Sequence, residues 1–189
     1  MSMKVFVSST LEDLIDHRQS VGAALRGLGV NTIDVVAERT EQADQLQTSL
    51  LALHNADLFL GIYASRYGPL LDGQEISLIE RLYDESSKLG LPRFIYVVDP
   101  REDWAVSFMH TDYFGARMRV FLDRLSNENP NLRHFTSPND LVEKLTFDLA
   151  RFRTQQPEVK RFNQRHLAIG LLIASGILLI AALRVSAIL

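Results

Sequence analysis

From Lys4 to Phe152 the chain alternates short, β-rich apolar runs with longer segments whose apolar residues return at helical spacing. Lys4–Ser8 (KVFVS) predicts a first strand, and the hydroxyl cluster Ser8, Ser9, Thr10 stands where a helix cap is expected. Leu11, Leu14, Ile15, Val21, Leu25 and Leu28 then mark one face of a helix stopped by Gly27 and Gly29. Asn31–Val36 predicts a second strand, followed by a polar loop, Ala37–Asp44, and a helix turning Leu46, Leu50, Leu53 and Ala56 inward. Asp57–Tyr63 (DLFLGIY) is almost continuously apolar, as expected of a central parallel strand covered on both faces. The loop ASRYGPLLDG leads to a helix over Ser77–Leu89, ended by Gly90 and Pro92. Arg93–Val98 then predicts a fourth strand, closed by Asp99 and Pro100. Trp104–Thr111 is ambiguous. Tyr113–Leu125 reads as helix, Leu132–Thr136 as a fifth strand, and Ser137-Pro138-Asn139-Asp140 as the cap of a last helix through Phe152.

Strands alternating with helices predict a doubly wound parallel sheet. Five strands suggest the flavodoxin-like order 2-1-3-4-5. The expected organisation is an α/β domain over residues 1–153, a polar and basic linker over 154–166, and a transmembrane helix over 167–189. Leu167–Leu183 is an unbroken apolar run without a charge; at 1.5 Å per residue it covers about 26 Å, and continuation to Leu189 matches a hydrocarbon core of about 30 Å. Arg184 would snorkel at the far interface, while Lys160, Arg161, Arg165 and His166 precede the span and place the domain on the cytosolic side. The start, MSMKVFVSST, lacks the apolar core of a signal peptide, so targeting is expected to rest on the C-terminal anchor. Gly170 and Ala174 give a single small-xxx-small spacing within the span.

Charge and composition narrow the function. Net charge is −3 with both signs mixed along the chain, which argues against a nucleic-acid partner. The absence of cysteine excludes disulfides, thiol catalysis and thiolate metal sites. The five histidines are scattered without ligand spacing, so no metal is expected. GxxxxGK[ST], GxGxxG and GxSxG are all missing.

In a sheet of this order, ligands sit outside the carboxyl ends of the strands at the switch point, which places Ser8 and Ser9 beside Arg66 and Tyr67. Serines opening a helix hold anions or sugar hydroxyls, and an arginine pairs with phosphate; plain helix capping is the alternative role for the same serines. Glu80, in the first turn of the next helix, has the chemistry to bind ribose hydroxyls or to stabilise an oxocarbenium ion; decoration of the helix dipole is the alternative. Glu75, Asp84 and Glu85 are weaker candidates on the same segment.

Together, Phe6–Thr10 (FVSST) with Glu12, Asp13, Leu14 and Arg18, the aspartate-led strand Asp57–Gly61, Arg66-Tyr67-Gly68, and the SxxExxY spacing of Ser77, Glu80 and Tyr83 resemble a domain-of-unknown-function family related to the TIR (Toll/interleukin-1 receptor) superfamily. Phe135–Pro138 followed by Asp140-Leu141 is similar to the same family. Two positions depart from its pattern: Ile79 stands in place of a threonine and Leu82 in place of an acidic residue.

The resemblance implies a TIR-like fold over about Lys4–Arg153. It further implies a nucleotide, with NAD as substrate rather than cofactor, bound by Ser8, Ser9, Arg66, Tyr67, Ser77 and Tyr83 and cleaved at the nicotinamide ribose through Glu80. Bacterial TIR-like domains fused to membrane segments resemble antiphage or self-killing effectors, which suggests homo-oligomerisation on activation and a separate sensor protein. A non-catalytic, membrane-anchored adaptor acting by self-association is the alternative.

Overall fold

A computed structural model describes residues 2–10, 13–33, 42–68, 70, 73, 75–102 and 113–155. The chain divides into two units, Met1–Asp148 and Leu149–Leu189, and the first holds the whole sheet. Five parallel strands, β1 (Lys4–Ser9), β2 (Asn31–Ile33), β3 (Leu58–Tyr63), β4 (Arg93–Val98) and β5 (Arg133–Phe135), lie in the order β2-β1-β3-β4-β5. This is the order expected from the strand count, with its switch point between β1 and β3. The register there aligns Val5 with Leu58 and Ser8 with Gly61.

Every residue of β3 is buried, which explains its unbroken hydrophobicity: helices cover the sheet on both faces. Helices α2 (Gln42–His54), α3 (Leu78–Lys88) and α4 (Tyr113–Glu128) bring Leu53, Ile79, Leu82, Tyr83, Met118 and Phe121 against Phe6, Phe59 and Tyr63. The rings form a continuous cluster around Phe121, which meets Tyr63 edge-on at 5.2 Å, Tyr83 at 5.7 Å and Tyr67 at 6.4 Å. Such edge-to-face pairs add about 0.5–1.5 kcal/mol each beyond their area. On the other face, helix α1 (Ile15–Gly27) turns His17, Val21 and Leu25 inward, and the His17 ring packs 5.2 Å from Phe135. Helix α5 (Pro138–Gln155) begins as its sequence predicts: the Asp140 amide donates to Ser137 Oγ at 3.2 Å, and Pro138 occupies the position where a missing N–H is harmless.

Three local expectations change. β1 extends through Ser9, and α1 begins only at Ile15, with Leu14 at its N-cap and no side-chain cap bond. The Ser8–Thr10 cluster therefore does not cap α1; Thr10 Oγ1 instead donates to the Asp13 carboxylate. α5 continues through Thr154 and Gln155, two residues into the expected linker. The outer half of the expected second strand, the ambiguous Trp104–Thr111 segment and the expected transmembrane helix over 167–189 lie outside the described residues. Among the described residues, no helix is long and apolar enough to cross a membrane.

Candidate functional site

The carboxyl ends of β1 and β3 carry most of the expected site residues, but they point in different directions. Ser8 shares the sheet face of Gly61, its register partner, and of Tyr63 two residues on. The Tyr63 ring lies back over Gly61 so closely that a Cβ there would stand 2.6 Å from Cε2 and 2.8 Å from the hydroxyl oxygen. Glycine at 61 is thus a packing requirement. Burial pushes the Tyr63 hydroxyl well above the ordinary tyrosine range, with the nearby Ser8 hydroxyl acting in the opposite direction. Among the described residues, Ser8 Oγ is buried and closes no hydrogen bond of ordinary geometry. Ser9 points to the opposite face, where Arg18 Nη1 donates to its hydroxyl.

Asp13 organises the loop that follows β3. Its carboxylate, only 6% exposed, accepts the Thr10 hydroxyl and the backbone N–H groups of Ser65 and Arg66, each of the latter at 3.2 Å. One residue of the α1 entry therefore ties the ends of the two switch-point strands together. Beyond it, Gly68 turns the chain at φ +78°, and Leu70 pairs with Ser77 in an antiparallel bridge. Between them Tyr67 is almost fully buried. Its hydroxyl donates to Glu80 and accepts the Ser77 N–H at 3.4 Å. Burial, then the neighbouring Glu80 carboxylate, pushes this phenol up to about 12. Tyr67 is a pin inside the loop. Ser77 is buried at the N-cap of α3, with no side-chain cap bond and, among the described residues, no partner for its hydroxyl.

Glu80 stands in the first turn of α3 as expected, with its side chain only 15% exposed. Besides Tyr67, it faces Arg124 of α4, whose Nη2 lies 3.1 Å from Glu80 and 2.9 Å from Asp84. The guanidinium also lies 5.4 Å from the ring centroids of both Tyr83 and Phe121, so the triad is seated on the aromatic cluster. Tyr83 is fully buried, and its hydroxyl donates to Glu128 at 2.7 Å and accepts from Asn129 at 2.8 Å. Tyr83 is therefore a residue of the core.

A small pocket of about 50 Å³ opens beside the end of β1. It is lined by Phe6 through Ser9, by Arg18, by Gln45 and Ser49 of α2, and by Leu78, Ile79 and Leu82 of α3. Leu78, Ile79 and Leu82 cluster on one side of the helix, and Glu80 and Asp84 lie on the other, as 3.6 residues per turn requires. The structure thus joins Ser8 and Ser9 at one pocket and places Tyr67, Ser77 and Glu80 in a separate hydrogen-bonded group. Arg66 anchors its loop through its main chain. Ile79 and Leu82, where the chain departs from the family pattern, both line the pocket. Gln45 and Ser49 carry no motif, whereas Arg18, which follows the FVSST signature along the chain, also lines the pocket. Among the described residues, no group of three or more metal-ligating side chains comes together.

Residues 4–150 match the model of a family described as a domain of unknown function (DUF4062). No curated protein matches the chain. Among solved structures, it is similar to a chain of the "Crystal structure of the RPS4 and RRS1 TIR domain heterodimer", with 12% identity and a TM-score of 0.50 over 80% of this chain and 97% of that one. At that identity the likeness speaks for the fold, and the sheet order, helix placement and family match agree with it. The chain belongs to the DUF4062 family, built on a TIR-like α/β fold.

Proposed function

We propose that this chain is a TIR-like signalling domain that acts by associating with another TIR-like domain, a second copy of itself or a partner, and that Glu80 serves its architecture. One observation carries this reading: the Glu80 carboxylate is engaged by Tyr67 and Arg124 on the side of α3 turned away from the pocket at β1. A group that stabilises a developing oxocarbenium ion must face the sugar. The TIR domain similar to this chain was solved as a heterodimer, which supports association as the mode of action. Anchorage by residues 167–189, with the domain on the cytosolic side, completes the proposal; it rests on the uncharged apolar run and its basic lead-in. A membrane confines the copies to two dimensions and raises their effective concentration. A separate sensor protein would then trigger clustering.

Cleavage of NAD is the second reading, favoured by the position of Glu80 in the first turn of the helix after β3, at the carboxyl end of the sheet. The two readings separate in one experiment on the full chain in detergent. Sedimentation velocity across a concentration series is expected to show reversible association that Glu80→Gln preserves wherever the variant is folded. A chain that stays monomeric throughout, yet consumes NAD in a Glu80-dependent manner, would replace the first reading with the second.

A further inference from the structure

We propose that the solvent face of α4 is the surface on which two copies of this chain pair, helix against antiparallel helix, about a two-fold axis at Val120. The inference rests on the association reading above and names its surface and its partner. α4 buries Gly115, Met118, Phe121 and Leu125. The opposite ridge holds Tyr113, Ala116, Val120, Asp123 and Asn127, with Arg119 on its flank, as 3.6 residues per turn requires, and all six are exposed. Tyr113 is 52% exposed and Val120 67%. Apolar side chains therefore fill the first half of the ridge and polar ones the second.

The charges on this face point to the partner. Among the described residues, α4 makes its ion pairs through Arg117 to Glu75 and through Arg124 to Glu80 and Asp84. Arg119 and Asp123, one turn apart on the exposed side, take no part in them. Within their own helix the basic residue comes first, which is the weaker orientation for an i,i+4 pair. An antiparallel two-fold reverses the order of the ridge. It sets Val120 against Val120 of the second copy, Tyr113 opposite Asn127, and Arg119 within reach of Asp123, and each unlike contact occurs twice. The pattern is its own complement, which a two-fold interface demands and a different partner does not. Small side chains at Ala116 and Val120 suit the 8–10 Å spacing of packed helices. α4 has 16 residues and a length of about 24 Å, so a pair of such helices covers less than the roughly 800 Å² per partner of a standard interface. The contact is therefore weak and reversible, and high local concentration drives it.

Sedimentation velocity of the full chain in detergent, across a concentration series, tests the surface. Val120→Glu is expected to weaken self-association at least about tenfold. Arg119→Asp and Asp123→Arg each bring like charges together at two symmetric places, and each is expected to weaken it about tenfold. An equimolar mixture of those two variants restores both ion pairs and is expected to associate at least about fivefold more tightly than either variant alone. All three side chains are exposed, so the variants fold as the wild type does. Wild-type association that Val120→Glu and both charge reversals leave unchanged overturns this surface and leaves the association reading standing. Weakening without rescue in the mixture gives the face to a different occupant and overturns the two-fold pairing. A wild type that stays monomeric up to about 0.5 mM overturns the association reading itself, and the surface with it.

Discussion

Replacing Glu80 by alanine separates a structural carboxylate from a catalytic one, because the two have opposite consequences for stability. Glu80 accepts the Tyr67 hydroxyl, which is almost fully buried, and pairs with Arg124 at 3.1 Å. In Glu80→Ala the phenol loses its acceptor and keeps only the long bond from the Ser77 amide. Arg124 retains Asp84 at 2.9 Å, so its charge is not stranded. Losing one hydrogen bond to a charged group costs about 1.5–3 kcal/mol, and the partly exposed ion pair adds less, because water screens it and Asp84 shares the cation. The expected loss is about 3 kcal/mol, or roughly 6–12 °C in the melting midpoint for a domain of this size. Glu80→Gln keeps an acceptor for Tyr67 and is expected to lose about half as much. Urea denaturation of the full chain, followed by near-ultraviolet circular dichroism, measures both. A catalytic carboxylate kept for turnover is commonly neutral or costly to stability. Glu80→Ala with unchanged or increased stability would refute the structural assignment.

Other substitutions probe the same architecture. Gly61→Ala drives a methyl group into the Tyr63 ring, which is fully buried, and is expected to cost about 1–3 kcal/mol by denaturant titration; Gly61→Ala combined with Tyr63→Phe recovers part of it by removing the nearby hydroxyl. Asp13→Ala removes three hydrogen bonds at once and is expected to destabilise by about 2–4 kcal/mol and to speed amide hydrogen exchange at Ser65 and Arg66. His17 is held below its ordinary pKa by burial against the sheet, with Asp16 and Asp13 partly opposing the shift. The unfolded chain therefore binds the proton more readily, so this contribution is present above pH 6.5 and is lost as pH falls below it. The midpoint is expected to drop from pH 7 to pH 5 with a slope that His17→Leu reduces; an unchanged slope would contradict the assignment.

Much of the scaffold is legible in the residues themselves. β3 reads as central because none of its side chains meets water, Ser137-Pro138 starts α5 by local chemistry, and Gly29 and Gly90 turn the chain just past helices where the periodicity fails. What stays hidden is long-range. Ser8–Thr10 look like a cap, but Thr10 is taken by Asp13, whose carboxylate also binds backbone more than fifty residues away. No local rule contains that partner. Tyr67 and Tyr83 sit in motif positions that suggest ligand contacts, yet their hydroxyls are satisfied from within, and only packing around Phe121 reveals this. For Glu80, a signal was present in the i,i+4 carboxylate pair it forms with Asp84, which invites a shared cation. Sequence does not say that the cation is Arg124 on another helix. Arg18 was visible as a companion of the FVSST signature, but its place beside Ser9 follows from β1 outlasting the expected strand end and α1 starting late.

The most direct test of the central claim is NAD consumption by the full chain reconstituted in lipid vesicles at densities that force clustering, measured beside Glu80→Gln. A domain that signals by association, with Glu80 fixed between Tyr67 and Arg124, leaves NAD unchanged in both samples. Loss of NAD by the wild type that disappears in a folded Glu80→Gln variant would contradict it and make Glu80 a catalytic residue.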